Sequence, residues 1–151
     1  MVYFSEVQSF RQWWIWALLL TPLGVLAYFH PKEHAAALPA LVPAVFCLWF
    51  YLAHLETEVR DEDVRLRFHL MWPTKAIPLK DIVSCEARTY KPVGEYGGWG
   101  VKGRKNNRAF NVSGNRGVQL VLAGGQRILI GSQKADDLAA AIQTRMQLVG
   151  R

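Results

Sequence analysis

Trp13 to Phe29, WWIWALLLTPLGVLAYF, runs for 17 residues without a charge. At ~1.5 Å per residue an α-helix of that length spans ~25 Å, slightly short of a ~30 Å hydrocarbon core. Aromatic side chains flank it: Trp13, Trp14 and Trp16 at one end, Tyr28 and Phe29 at the other. Belts of this kind mark membrane–water interfaces. A second run follows at once, Ala35 to Leu55, AAALPALVPAVFCLWFYLAHL, whose 21 residues would reach ~31 Å. Pro39 and Pro43 lie four apart on one helical face, and Trp49, Phe50 and Tyr51 form an exit belt. Between the runs, His30-Pro31-Lys32-Glu33-His34 suits a tight turn between antiparallel helices.

These features predict a transmembrane helical hairpin, residues 13–29 and 35–55. Two alternatives fit less well. A cleaved signal peptide would need a stronger positive leader than Arg11 and a small-residue cleavage site after Phe29. Two buried helices of a water-soluble domain would need polar faces that neither run has. Arg11, Arg60, Arg65 and Arg67 lie on one side of the expected hairpin and only Lys32 in its turn. The bias predicts a multi-pass inner-membrane protein with both termini cytoplasmic.

Residues 1–12, MVYFSEVQSFRQ, place Val7 four residues after Tyr3 and three after Phe4, and Phe10 three after Val7. The spacing predicts a short amphipathic helix in the headgroup layer; an edge strand added to the following domain is the alternative. Residues 56–151 hold sixteen Lys and Arg against ten Asp and Glu, a net charge of +6. They break into short runs with turn signals between them. Strands are predicted near 55–60, 64–70, 75–78, 82–90, 98–102, 108–112, 118–122 and 127–130. Val64-Arg65-Leu66-Arg67-Phe68 alternates strictly, which gives one buried and one wet face. Gly124-Gly125 signals a hairpin. Leu138, Ile142, Met146 and Val149 form one apolar stripe on a C-terminal helix, with Ser132 as a candidate N-cap and Asp136 and Asp137 at the positive end of its dipole.

Val59 to Arg67 followed by Ile77-Pro78-Leu79-Lys80-Asp81-Ile82 resembles the opening of bacterial pleckstrin-homology-like domains. Ile130-Gly131-Ser132-Gln133 leading into Asp136-Asp137-Leu138 resembles their ending. Phe10-Arg11-Gln12-Trp13-Trp14, Tyr96-Gly97-Gly98-Trp99-Gly100 and Asn111 to Gly117 resemble segments of a family of small, uncharacterised prokaryotic membrane proteins with two helices and such a domain. The resemblance implies an α+β architecture: a two-helix transmembrane hairpin, then a pleckstrin-homology-like antiparallel β-barrel or sandwich closed by one C-terminal helix. It brings no activity with it.

Glu95 to Gly117, EYGGWGVKGRKNNRAFNVSGNRG, combines six glycines with Lys102, Arg104, Lys105, Arg108 and Arg116, and has no acid after Glu95. Glycines let backbone N–H groups approach an anion and cations supply charge. Lys102, Arg104, Lys105, Arg108, Asn115 and Arg116 are therefore the candidate anion- or partner-binding residues; a solvated hairpin with turn glycines is the plainer alternative. Trp13, Trp14, Trp16, Trp49 and Tyr51 are the candidate membrane-interface residues. No nucleotide-binding glycine motif or cofactor motif is present. Cys47 and Cys85 have no CxxC partner, and His30 and His34 sit in a turn without acidic or thiol neighbours, so neither a disulfide framework nor a metal site is expected. No catalytic arrangement stands out.

The expected function is a membrane-anchored interaction or scaffold module, not an enzyme. It would bind a protein partner, another copy of itself or an anionic lipid surface, and no nucleic acid. The alternative is a structural subunit of a larger membrane complex, packed through Pro39, Pro43, Ala36, Ala37, Ala40 and Ala44. An enzyme acting on lipid or peptide ranks third.

Overall fold

The computed structural model describes residues 1–29 and 37–149. In chain order the elements are β1 (Val2–Ser9), α1 (Trp13–Phe29), α2 (Ala37–Leu52), β2 (His54–Arg60), β3 (Asp63–Phe68), β4 (Trp72–Pro78), β5 (Ile82–Thr89), β6 (Gly100–Arg104), β7 (Asn107–Asn111), β8 (Arg116–Leu122), β9 (Arg127–Gly131) and α3 (Ala135–Val149). A 3₁₀ turn, Leu79–Asp81, separates β4 from β5, and a π-turn, Pro92–Tyr96, follows β5.

The strands form two sheets. One is the antiparallel meander β1-β2-β3-β4; the other has the order β5-β8-β9-β7-β6. Alternation writes the first sheet. Val64, Leu66 and Phe68 of β3 are buried while Asp63, Arg65 and Arg67 are half-exposed. On the wet face Glu56 stands opposite Arg67, and the pair closes to 3.0 Å. In the second sheet the glycine signal becomes the β8–β9 hairpin, with Gly125 at a φ of +74° that favours glycine. Leu55, Leu66, Phe68 and Ile77 of the first sheet join Phe110, Leu120, Ile128 and Ile130 of the second in one core, which Leu138 and Ile142 of α3 also enter. Burying each such side chain contributes ~1.5–3 kcal/mol. Met146 is half-buried and Val149 is exposed, so only part of the expected stripe is used. Ser132 lies just ahead of α3, its hydroxyl accepting the Lys134 N–H at 2.9 Å.

Three expectations are corrected. No helix among the described residues is long and apolar enough to cross a membrane. At 17 and 16 residues, α1 and α2 reach ~25 Å against a ~30 Å core. The physical reason lies at the end of the second run: Ala53 is fully buried, and His54 and Leu55 belong to β2, where Leu55 pairs with Phe68. Residues read as the exit of a span are the first rung of a sheet. The multi-pass inner-membrane placement, with both termini cytoplasmic, falls with the crossings on which it rested. The expected hairpin turn, residues 30–34, and Ala36 of the expected packing face lie outside the described residues.

The barrel is the second correction. The two sheets do not close on one another. The ladder stops where Leu79–Asp81 turns between β4 and β5, and the second sheet contains a parallel pair, β7 with β9. The expected pleckstrin-homology-like barrel therefore gives way to two open sheets with a C-terminal helix. The third correction is at the N-terminus, where Val2–Ser9 is a strand antiparallel to β2 and not an amphipathic helix.

Candidate functional site

The base of the α1–α2 pair carries most of the chain's tryptophan. Trp13, Trp14 and Trp16 open α1, and Trp49 sits near the end of α2 beside Phe50 and Tyr51. An antiparallel pair brings these ends together. Phe10 meets Phe50 with ring centroids 5.2 Å apart, and Trp16 meets Tyr51 at 6.4 Å. The indole nitrogens are tied inward: Trp16 Nε1 donates to the Phe10 carbonyl at 3.0 Å and Trp49 Nε1 to the Leu70 carbonyl at 3.2 Å. Trp99, between the π-turn and β6, packs on Trp14 and donates its Nε1 to the Gly114 carbonyl at 3.0 Å. An aromatic collar thus surrounds the point where the helices meet the sheets. Beyond it the helices remain apolar and exposed: Leu18, Leu20, Val25, Val42, Val45 and Phe46 are all more than two-fifths accessible.

The basic segment divides. Lys102 lies on β6, and Arg104 and Lys105 lie at the far end of the β6–β7 hairpin; all three are exposed. Arg108, on β7, is half-buried with its guanidinium over the Trp72 ring at 4.9 Å. Lys75 on β4 joins it, its ammonium 6.0 Å from the centroid of the Phe110 ring. Burial, and then the nearby Arg108 cation, hold the Lys75 pKa below the ordinary lysine value. Among the described residues, no carboxylate lies within ion-pair distance of these five cations.

Asn115 and Arg116 do not join them. Three inter-strand steps separate β8 from β6, ~14 Å at ~4.8 Å per step. Arg116 also lies toward the Gly100 end of the sheet, away from Arg104 and Lys105. Arg116 pairs with Asp136 on α3 at 3.0 Å, and the Asn115 carbonyl accepts the Tyr90 N–H at 2.8 Å. In the same turn Ser113 Oγ accepts from Gln133 Nε2 at 2.9 Å.

The sequence reading missed the residues that tie the N-terminal segment to the second sheet and to the loops at the ends of β7 and β9. Gln8 Nε2 donates to the Gly131 carbonyl at 2.8 Å, Gln12 Nε2 to the Val112 carbonyl at 2.6 Å, and the Glu6 carboxylate accepts from the Ser132 hydroxyl and the Gln133 N–H. Their signal was the i, i+2 series Phe4, Glu6, Gln8 and Phe10. A second polar cluster lies under the π-turn. Asn111 donates to the Tyr90 hydroxyl at 2.9 Å, and Arg88 pairs with Glu95 at 2.7 Å. That pair, through its hydrogen bond first, holds the Glu95 carboxyl below its ordinary value.

Two hollows flank the collar. One, of about 330 Å³, is lined by Phe10, Trp14, Leu18, Phe50 and Trp99, with Lys102 its one charged lining residue. The other, of about 530 Å³, is lined by Phe10, Arg11, Trp16, Tyr51 and His54. The His54 and His69 rings stack with centroids 4.0 Å apart. No group of three or more metal-ligating side chains occurs among the described residues, and His30 and His34 lie outside them. No known family model matches the chain, and no curated protein matches it in sequence.

Proposed function

We propose that this protein is an interaction module that docks on an anionic lipid surface. The exposed sides of α1 and α2 enter the lipid from one side, without crossing it, as far as the tryptophan collar. Lys102, Arg104 and Lys105 on the β6–β7 hairpin meet headgroups.

The observation that carries this reading is the contiguity of exposed apolar residues on α1 and α2. Soluble monomers rarely expose patches above a few hundred Å², and larger ones mark contact with lipid or a partner. Two features favour lipid. Tryptophan gathers where the apolar helices end, as it does at headgroup level. Lys102 lines the hollow beside Trp99 at that level, and among the described residues no carboxylate lies within ion-pair distance of it. Each Lys or Arg close to an anionic surface gains ~1 kcal/mol, a term that salt screens.

Flotation of the intact chain tests it. With vesicles containing phosphatidylserine the chain is expected to float, and less so with pure phosphatidylcholine or at high salt. Lys102→Glu with Arg104→Glu and Lys105→Glu should abolish the lipid preference. A chain that stays at the bottom of the gradient with both vesicles refutes the reading. If that chain also sediments as a discrete oligomer, the helix pair serves an assembly of protein subunits instead.

A further inference from the structure

An apolar groove runs along the helix pair from the collar outward. The hollow beside Trp99 shares Leu18 and Leu19 with a second, shallow one, of about 370 Å³, lined also by Pro22 and Leu26 of α1 and Val42, Pro43 and Phe46 of α2. Spacing makes this groove. Ile15, Leu19, Pro22 and Leu26 recur every three or four residues, as do Val42, Phe46 and Phe50, so each helix turns one stripe to the same trough. Pro22 and Pro43, both inside helices, stand at its sides.

The groove has polarity. Its outer part is walled by hydrocarbon alone, and its inner end opens at Lys102 on β6. From Trp14 to Leu26 is twelve residues, ~18 Å of helix axis. One leaflet of a ~30 Å hydrocarbon core is ~15 Å deep. A trough of that length with one cation at its mouth matches one acyl chain carrying an anionic head.

We propose that this groove holds a single acyl chain of an anionic lipid, its headgroup paired with Lys102. The inference rests on the surface docking proposed above and adds to it a saturable site for one lipid molecule. The chain lies against Leu18, Leu19, Leu26 and Phe46. The charged head stays at the collar, where Trp14 and Trp99 flank the groove mouth.

Calorimetric titration of the intact chain with lauroyl lysophosphatidic acid, kept below its micelle concentration, tests the site. Lauroyl lysophosphatidylcholine serves as the zwitterionic comparison. The expected result is saturation at one lipid per chain, with at least tenfold weaker binding of the phosphatidylcholine analogue. Lys102→Glu should weaken the lysophosphatidic acid at least tenfold. Leu19→Trp, which fills the trough, should remove binding of both lipids; because Leu19 also touches the core, the exposed Lys102 variant carries the test if Leu19→Trp fails to fold. Absence of saturable heat while the chain still floats with anionic vesicles overturns the groove and leaves surface docking standing. Loss of both overturns both. Binding that Lys102→Glu leaves unchanged, or that exceeds one lipid per chain without saturating, also overturns the groove.

Discussion

Trp14 at the start of α1 and Trp99 ahead of β6 lie with ring centroids 5.5 Å apart and planes inclined by 51°. They are 85 positions apart in the chain, and their contact joins the helix pair to the basic hairpin. Docking on lipid depends on that junction, because it sets Lys102 beside Leu18 and Leu19 of α1.

Trp99→Ala removes this contact together with the hydrogen bond to the Gly114 carbonyl. An aromatic pair contributes ~0.5–1.5 kcal/mol beyond its area, and truncation of a half-buried indole adds to that, so a loss of ~1–3 kcal/mol is expected. Trp13→Ala, at a position 79% exposed, should stay within ~0.5 kcal/mol of the parent. Urea midpoints of the two variants make the comparison.

Gln8→Ala should cost ~1–2 kcal/mol, because the Gly131 carbonyl loses a donor inside the protein. Gln8 is only 5% exposed. Ser5→Ala, on the outward face of the same strand, should be neutral within ~0.5 kcal/mol. If both variants unfold at the same urea concentration, β1 does not hold the second sheet as described.

This strand shows why the sequence misled at the N-terminus. Phe4, Glu6 and Gln8 of β1 and Phe10 just after it face inward, and two of the four are polar because Gln8 bonds Gly131 of β9 and Glu6 bonds Ser132 and Gln133 just beyond it. The apolar residues Tyr3, Val7 and Phe10 then fall four and three apart, a helical spacing, although Tyr3 and Val7 are exposed and Phe10 is buried. Hydrophobic periodicity records burial, and it fails where a buried face is hydrogen-bonded. The same principle explains what was legible. Val64, Leu66 and Phe68 bury an apolar face with no polar interruption, and β3 could be read directly. The apolar run ending at Leu55 concealed a change of element, since a residue is apolar whether it ends a helix or enters a sheet core. The basic segment gave its charges but not their grouping. Strand order separates Arg116 from Lys102 and brings in Lys75 from another sheet, and no local pattern encodes that.

Glycine at position 117 is set by close approach. A Cβ there would lie 2.5 Å from the Ile130 carbonyl oxygen, a contact that backbone in mid-sheet cannot relieve. Gly117→Ala should therefore lose ~1–3 kcal/mol, the usual cost of overpacking. At Gly124 a Cβ would meet nothing within 4 Å. Gly124→Ala should be neutral or stabilise by up to ~1 kcal/mol through the unfolded chain. Denaturation curves of the two variants, run side by side, check the sign of each.

Stability should fall in alkali. Burial pushes the Cys85 thiol up from an ordinary value of 9.0 to about 12. Between those values the native state keeps a proton that the unfolded chain has released. Its contribution is thus fully present below pH ~9 and is lost as pH rises toward ~12. Burial also raises Tyr90 and Tyr96, which act in the same sense. Urea midpoints at pH 8, 9.5 and 11 should decline, and the decline should be shallower in Cys85→Ala. A parent protein whose midpoint rises over that range would contradict the burial of this thiol.

Tryptophan emission on mixing the intact chain with vesicles whose lipids carry bromine at the top of the acyl chains reads the collar directly. With anionic vesicles the emission should shift to the blue and be quenched strongly. Lipids brominated near the chain ends should quench less, and a zwitterionic surface should give a smaller change. Emission that neither shifts nor quenches at saturating anionic lipid would show that the collar never reaches the headgroups and would contradict docking on a lipid surface.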